Sequence, residues 1–578
     1  MASAPPVTVS YPGVYLQEVT NTAVNVTPAS TSDAAFIDWF PQGPTDEAVQ
    51  ITSLQEFNST FGGLNWNSPA SYAIQQFFLN GGSVAWVVRI VPSSTTTPAA
   101  GRAAVAASLS FDFSQTSPPV VTSSPPGAPS VITFSANSEG TWGNSYGVQF
   151  TPTPASMAPA GVQDPFNLTI QQNVGTTAKP IWAVVESYYN VTLDPTSPNY
   201  IVNVVTQGSN FVVATAATGS VRSQAAKFST PSAPVNPEAL ENGDDGQWGS
   251  SSANAAAAYA ASVEAQVTTG SALLDGIAPN HFNIMCLPGV SLLSTNSQEA
   301  PLTAALQYCQ DNQAFLIVDP SPPTNITQTI GNPSFFSTSS FVDDVSQMVD
   351  WAASWTNAEN IAGATYYPWL LVPDPLNQNN PRLVPPSGTI AGIYAATDAS
   401  RGVWKAPAGV DAVLGGILGL ADATLTDTDS GTLNTLGINA LRTFPIYGNV
   451  VWGTRTLAGA DLLQSSFKYV DVRRLTDFIE QSLTQSLKWA VFEPNAAPLW
   501  ATITSEVSAF MASLYTDGAF GGSTAAQAYQ VLCDATTTTP TDIENGIVNV
   551  VVAFQPVLPA EFVVLQIQIN SPTTATSP

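Results

Sequence analysis

The chain reads as a mixed α/β protein of several domains. It has a core of mixed sheet and helices, a β-rich inserted domain, and strand-like arms at both ends. Three observations predict this. Its 578 residues exceed what one hydrophobic core organises. Helix-period and strand-period apolar runs alternate through residues 31–91 and 247–435. Between them, in residues 92–246, Ser, Thr and Pro dominate and short alternating runs replace helices.

The elements follow in chain order. Residues 1–30 form an arm: YPGVYLQEVT (11–20) places Val14 and Leu16 in alternation after a Pro-Gly turn, which predicts an extended strand. STSDAAFIDWFPQGP (30–44) predicts a strand ending in a turn, and ITSLQEFNSTFGG (51–63) a short helix. SPASYAIQQFFLNGG (68–82) is a helix with its punctuation in place. Ser68 is a candidate N-cap, Pro69 suits the first helical position, and Gly81 can end it. VAWVVRIV (84–91) is a buried strand.

Within 92–246, SQTSPPVVTSSPPGAPS (114–130) is a turn-rich linker. YGVQFTP (146–152), FNLTIQQ (166–172) and YIVNVVTQ (200–207) are expected as strands. Residues 247–435 return to α/β order. ANAAAAYAASVEAQV (253–267) is an Ala-rich helix, HFNIMCLPG (281–289) a strand, LTAALQYCQDN (302–312) a helix and AFLIVDPS (314–321) a strand. ATYYPWLLVPDP (364–375) is expected as one strand, and LVPPSGTIAGIYAATDASRG (383–402) as a turn opening a helix.

Residues 436–545 carry two amphipathic helices. Leu475, Phe478, Ile479, Leu483 and Leu487 recur at helical spacing, as do Leu499, Ile503, Val507, Phe510 and Leu514 before Asp517-Gly518. Residues 546–578 are a second arm, with strands expected over IVNVVVAF (547–554) and EFVVLQIQIN (561–570).

Composition narrows the function. Charged residues are 10% of the chain, so the surface is rich in Ser, Thr, Asn, Gln and Ala. Such a surface suits packing against copies of itself, or a secreted or acid-adapted protein. The net charge of −27 argues against a nucleic-acid partner. Nine of the 14 basic residues lie between Arg382 and Lys488, alongside nine acidic ones, so the rest of the chain carries the whole net charge. That neutral stretch is either a docking face for an acidic partner or a set of scattered ion pairs. Cys286, Cys309 and Cys533 are odd in number, have no CxxC spacing, and are expected as buried free thiols. MASAPPVTVS lacks a basic segment followed by an apolar one, so no secretory signal is expected. No run of 18 apolar residues predicts a membrane span. Synthesis in a cytoplasm is expected.

Catalytic patterns are weak. No GxxxxGK[ST], HExxH or GxSxG occurs, and a single histidine, His281, cannot supply a multi-histidine metal site. Asp429-Ser430-Gly431-Thr432 fits the aspartic-protease pattern, but that chemistry needs two carboxylates and no second copy exists; an Asp-rich loop is expected. Asp244-Asp245 offers too few oxygens for calcium and is expected in a turn. The chain is therefore expected to be no enzyme and to need no cofactor or metal.

One ordered set of phrases remains. YPGVY (11–15), QQFFLNGG (75–82), PPSG (385–388) with RGVWKAPAG (401–409), VVWGTRTL (450–457), YVDVRRL (469–475) and WAVFEPN (489–495) with PLW (498–500) resemble contractile tail sheath proteins of phages and phage-derived injection systems. The similarity runs through residues 11–91, parts of 139–205, and 281–566. It implies a helical stack of rings, hexameric by analogy, around an inner tube, assembled on a baseplate, closed by terminator or cap proteins, and shortened on triggering. Sheath paralogues in the same particle are possible partners. It also implies that neighbouring subunits exchange strands from both arms. Two features of the residues agree: both ends are lone strands, which need a partner sheet, and without a nucleotide site any work must be stored at assembly. The exchanging positions are Val14, Tyr15 and Leu16 at one end, and Asn549, Val551, Phe562, Val564, Leu565 and Ile567 at the other. Pairing of both ends within the chain is the alternative. The resemblance places Lys468, Arg473, Arg474 and Lys488 towards the tube. Arg473 and Arg474 are adjacent on a helix start, so at least one is expected in an internal ion pair. The competing readings are a non-contractile surface-array or adhesin protein, which would need a secretion signal, and a carboxylate-dependent hydrolase.

Overall fold

The computed structural model of the chain describes residues 26–92, 100–112, 120–121, 131–153, 156, 165–216, 237–249, 251–270, 272–276, 282–324, 340–422 and 425–564. His281 lies outside them, as do residues 11–20 and 565–570, which hold the expected strand-exchange positions Val14, Tyr15, Leu16, Leu565 and Ile567. The chain forms two compact units. The larger holds residues 30–400 and 407–470; the smaller holds residues 1–29, 401–406 and 471–578.

The larger unit begins with β1 (Asp33–Asp38), β2 (Val49–Ile51), α1 (Leu54–Phe61), α2 (Pro69–Leu79) and β3 (Val84–Arg89). Ser53 and Ser68 cap the two helices by accepting from Glu56 N–H and Ser71 N–H. Gly81, at φ +108°, turns the chain out of α2.

The inserted stretch contains β4 (Ala100–Arg102), β5 (Ser108–Asp112), β6 (Val120–Val121), β7 (Val131–Ala136), β8 (Tyr146–Pro152), β9 (Phe166–Asn173), β10 (Trp182–Val191), α3 (Ile201–Gly208), β11 (Val212–Ala216), β12 (Glu238–Ala239) and β13 (Gln247–Gly249). Two four-stranded sheets, ordered β10-β9-β8-β12 and β11-β7-β5-β6, share one core that includes Phe111, Phe134, Phe166, Leu168 and Ile170. The expected strand over 200–207 is a helix. Ile201 and Val205, one turn apart, face this core, so the same apolar residues satisfied a helical period as well as an alternating one.

The chain then returns to the first sheet through α4 (Ser252–Gln266), β14 (Ile284–Cys286), α5 (Thr295–Asp311), β15 (Phe315–Val318), α6 (Val345–Ala352) and β16 (Gly363–Tyr367). Next come β17 (Leu370–Asp374), β18 (Asn380–Val384), α7 (Ser387–Arg401), β19 (Gly419–Leu420), α8 (Asp427–Thr435), β20 (Ile438–Phe444) and β21 (Gly448–Val451). The eight-stranded sheet has the order β2-β3-β1-β14-β15-β16-β20-β21. Its six central strands are parallel, and β2 and β21 are antiparallel edges. It continues past residue 436, where the sequence placed a domain boundary. Even-numbered residues of β1 (Ala34, Phe36) pack with α1, α2 and α7, while Ala35 and Ile37 pack with α4, α5 and α6. Parallel strands buried on both faces explain their unbroken apolar runs.

Two further expectations change. ATYYPWLLVPDP is two strands, β16 and β17, in different sheets, because the chain turns at Pro368-Trp369. Asp429 is in no loop. It sits in the first turn of α8 and forms a capping box with Thr426, so its carboxylate is committed to helix initiation and held below the usual carboxylate range by the Thr426 N–H and hydroxyl.

The carboxyl ends of the parallel strands hold two buried carboxylates. Asp38, closing β1, accepts from Tyr259 Oη (2.6 Å), Ala70 N–H at the start of α2 (2.8 Å), Trp39 N–H (2.8 Å) and Ser68 Oγ (3.4 Å). Asp319, just after β15, accepts from Ser387 N–H at the start of α7 (2.8 Å). In open parallel sheets this end is where ligands bind. Here the chain's own carboxylates fill the helix N-termini.

The smaller unit contains α9 (Val470–Ser486, from Asp471 onwards), α10 (Ala497–Thr516), α11 (Ala525–Ala528), β22 (Tyr529–Leu532), α12 (Pro540–Glu544) and β23 (Val551–Phe554). All three cysteines are buried free thiols, as expected.

Candidate inter-subunit surface

The smaller unit is built on the two amphipathic helices read from the sequence. Leu475, Phe478 and Ile479 of α9 pack with Leu499, Ile503, Val507, Phe510 and Leu514 of α10; the Phe478 and Phe510 rings are 6.0 Å apart. β22 and β23 form an antiparallel pair over this core, with Tyr529 opposite Phe554 and Leu532 opposite Val551. Val548, Val550, Val552 and Phe554 point to the core, while Val551 is exposed. The alternation read over 547–554 is real, although ladder pairing covers only 551–554.

Among the described residues, the pair leaves a strand edge open. Gln555 N–H donates to Ala528 O (2.8 Å) and its carbonyl accepts from Gly521 N–H (2.8 Å), so both its polar groups face the β22 side. By ladder alternation the N–H and C=O of Val552 and Phe554 face the other way. No other strand pairs with β23 among the described residues. Beyond it, Val557, Leu558, Phe562, Val563 and Val564 are exposed, Phe562 and Val564 at 74% and 82%. Residues 561–564 form no strand here.

The other chain end leaves from the same unit. Val26 is buried in its core. Thr27 N–H donates to Ser486 Oγ and Ala29 N–H to Ser482 Oγ, both at 2.9 Å. Ser482 and Ser486, one turn apart on α9, were not singled out from the sequence. Two hydroxyls spaced i, i+4 beside an apolar stripe are the signal that could have found them.

The four basic positions separate. Arg473 is buried and ion-paired with Asp477 one turn on; Arg474 is buried too. Burial takes both off any outer face of the subunit, which corrects their expected tube-facing placement. Burial also pushes the Asp477 carboxyl up to about 7, against the pull of Arg473. In the larger unit, Lys468 donates to Asp461 (2.8 Å), which also holds Arg455 (2.9 Å). Lys488 is exposed and makes no ion pair among the described residues.

The acidic pair read from the sequence is occupied within the fold. Asp244 pairs with Arg102 (2.7 Å), and Asp245 accepts from Thr141 N–H (2.7 Å), so both serve turns. No group of three or more His, Cys, Asp or Glu is poised for a metal among the described residues, and no described helix is long and apolar enough to cross a membrane.

The profile of the phage tail sheath protein central domain matches residues 264–457, and that of the phage tail sheath C-terminal domain matches residues 464–570, together about half of the chain. The chain belongs to the phage tail sheath family. This sheath chain is 30% identical over 164 residues to the tail sheath protein of Vibrio phage KVP40, an alignment covering 28% of this chain and 23% of the relative. It thus spans about a quarter of that curated relative's length. It is 26% identical over 297 residues to a prophage major tail sheath protein of Pseudomonas aeruginosa strain UCBPP-PA14, covering 50% of this chain and 66% of that one. Its fold is similar to the sheath of the extracellular contractile injection system PVC in the contracted state. The TM-score is 0.53 and the identity 20%, over 98% of this chain and 99% of that one.

Proposed function

We propose that this chain is a structural subunit that polymerises into a helical sheath around an inner tube, and that the sheath shortens to drive the tube through a target envelope. The family match supports sheath identity. The observation that carries the assembly mode is the open edge of β23 in the unit from which both described chain ends depart. An unpaired edge beside exposed apolar chain is a template for strand addition. Residues 11–20 of one neighbour and 561–569 of another are the strands proposed to complete it, through Val14, Tyr15, Leu16, Phe562, Val564, Leu565 and Ile567. Lys488, with Lys468, is the proposed tube contact. The ring is proposed to be hexameric, with baseplate, cap and possibly paralogous sheath partners, in a particle made in a bacterial cytoplasm. No catalytic role is proposed: the patterns that suggested one are committed to caps and turns.

Negative-stain electron microscopy of the chain alone, and co-expressed with its tube protein, tests this. Striated hollow tubes are expected, and deletion of residues 565–578 should abolish them while leaving a folded subunit. Discrete particles under both conditions would overturn the sheath function; tubes that survive the deletion would overturn strand exchange by the C-terminal arm.

A further inference from the structure

The connection between α9 and α10 presents an aromatic side chain to solvent. α9 runs on through a single 3₁₀ turn, Leu487–Ala490, and the chain then passes Val491 and Phe492 before α10 begins. Phe492 is fully exposed, at 103%, and Val491 is 62% exposed. Phe492 also has φ +70°. The other described non-glycine residues with positive φ are all Asn or Gln, and a bulky side chain there is an outlier. Such a conformation persists where its surroundings impose it. Trp489 Nε1 donates to Glu506 Oε2 on α10 (3.1 Å), Trp500 Nε1 to Asn495 Oδ1 (2.9 Å), and Asn495 Nδ2 to Ile547 O (2.9 Å). The loop is thus pinned on both sides of Phe492, and the phenyl ring is held outward at a cost in backbone strain.

The N-terminal arm enters the unit along the same helix. Ala29 is bonded to Ser482 and Thr27 to Ser486, so the backbone traced back from 29 to 27 runs along α9 towards the loop. Two residues of extended chain rise about 6.6 Å and one helical turn about 5.4 Å, so an extended course fits the two serines. Val26 is buried in the core of this unit, against which Leu487, Trp489 and Ala490 also pack. In extended chain, side chains two apart share a face. The next residue on the face of Val26 is Val24, in VNVT (24–27), where apolar and polar residues alternate. Three extended residues back from Thr27 span about 10 Å. The 3₁₀ turn beyond Ser486 rises about 8 Å. The same course therefore carries residue 24 to Val491 and Phe492.

We infer that Val491 and Phe492 are the docking site of residues 21–25 of the same chain, with Val24 seated against them. The tether selects this occupant. A segment joined to the site through Val26 is present at an effective concentration on the order of mM, before any neighbour arrives. Residues 19–27 carry no charge, so the contact buries no ion. A ring fixed in advance spares the ordering cost of one side of the contact. The consequence is directional: the arm leaves its own subunit over the α9–α10 loop, and residues 1–20 are what remains to reach a neighbour. The inference concerns the free subunit and goes beyond the sheath reading.

The test places a reporter on the arm of the full chain, kept as free subunit in dilute salt. The native thiols are buried, so in Val24→Cys the new thiol is the one a maleimide reaches. Adding Phe492→Gly removes the ring and eases the positive φ, so the loop is not unfolded by the change. It should speed labelling of Val24→Cys roughly tenfold, the scale set by burying one valine. A reporter at Asp517→Cys, at the far end of α10, should label at an unchanged rate. Under mild oxidation, Val24→Cys/Val491→Cys should form a disulfide within one chain, and Val24→Cys/Asp517→Cys should not. An unchanged labelling rate on adding Phe492→Gly overturns the inference. A disulfide that joins two chains in place of one also overturns it, since the occupant is then a neighbour's arm. Neither readout involves tubes, so failure here and failure of the sheath reading are told apart.

Discussion

At the residue scale, Asp319 shows how the core responds to pH. Burial pushes its carboxyl up to about 7, and the Ser387 N–H that it accepts from only partly opposes this. A folded-state pKa above the unfolded value contributes stability at low pH that is lost as pH rises towards the folded value. The window is therefore from the ordinary carboxylate range up to about 7. Asp319→Asn keeps an acceptor for Ser387 and cannot ionise. The variant should gain stability relative to wild type by up to about 1.4 kcal/mol per pH unit between pH ~5 and ~7, read from urea midpoints. A parallel pH dependence of the two proteins would refute this. Asp38 belongs to the same class, raised to about 6 by burial despite the Tyr259 hydroxyl and the Ala70 and Trp39 amides. The Arg89 side chain, next to it in register on β3, turns instead to Phe40 O, Gly43 O and Glu139. Tyr259→Phe removes the shortest of the bonds to Asp38 and should cost about 1–3 kcal/mol at neutral pH, measured by chemical unfolding. None of this was legible in the sequence. Asp38 stands in an apolar run as an ordinary strand-end residue, and its partner Tyr259 is 221 positions away.

At the element scale, the punctuation of α2 was readable because Ser68, Pro69 and Gly81 act within a few residues of the backbone they cap. What α2 packs against was not. A Cβ on Gly388 of α7 would lie 2.2 Å from Ala73 O and 2.5 Å from Ala73 Cα, so the two helices touch backbone to backbone. Gly388→Ala should gain about 1 kcal/mol of helix propensity and lose about 1–3 kcal/mol or more to overpacking. Because the obstacle is backbone, which cannot swing aside, the loss wins. Thermal unfolding should show a lower midpoint, and an unchanged or higher one would refute the close contact. α3 teaches the converse. A short run rich in Val and Ile has strand propensity, and only the position of the sandwich core beneath Ile201 and Val205 made it a helix.

At the scale of the whole molecule, net charge governs association. Copies carrying −27 should assemble slowly in dilute salt and faster as the ionic strength rises from roughly 0.02 to 0.2 M, since exposed charges are screened beyond about 10 Å near 0.1 M. Light scattering would measure this; slower assembly with added salt would mean that attractive ion pairs hold the array. The proposed Lys488 contact with a tube should behave oppositely. Lys488→Glu should weaken co-assembly with the tube protein at low salt and have little effect at high salt, as read by co-sedimentation. Unchanged co-sedimentation would remove Lys488 from that contact. The salt series thus separates the two proposed kinds of interface.

The sequence by itself determined the α/β class, the caps and periods of the long helices, the buried thiols and, through its ordered phrases, the sheath family. These are properties written in neighbouring residues or in local order along the chain. Only the tertiary structure decided that Arg473 and Arg474 are interior, that Asp38 and Asp319 occupy the carboxyl end of the sheet, that among the described residues β23 keeps an open edge while β21 does not, and that Ile446 at the β20–β21 turn is exposed. Each depends on which surfaces meet across tens or hundreds of residues. Burial and pairing of that kind are set by packing of the whole unit, and a one-dimensional pattern does not contain them.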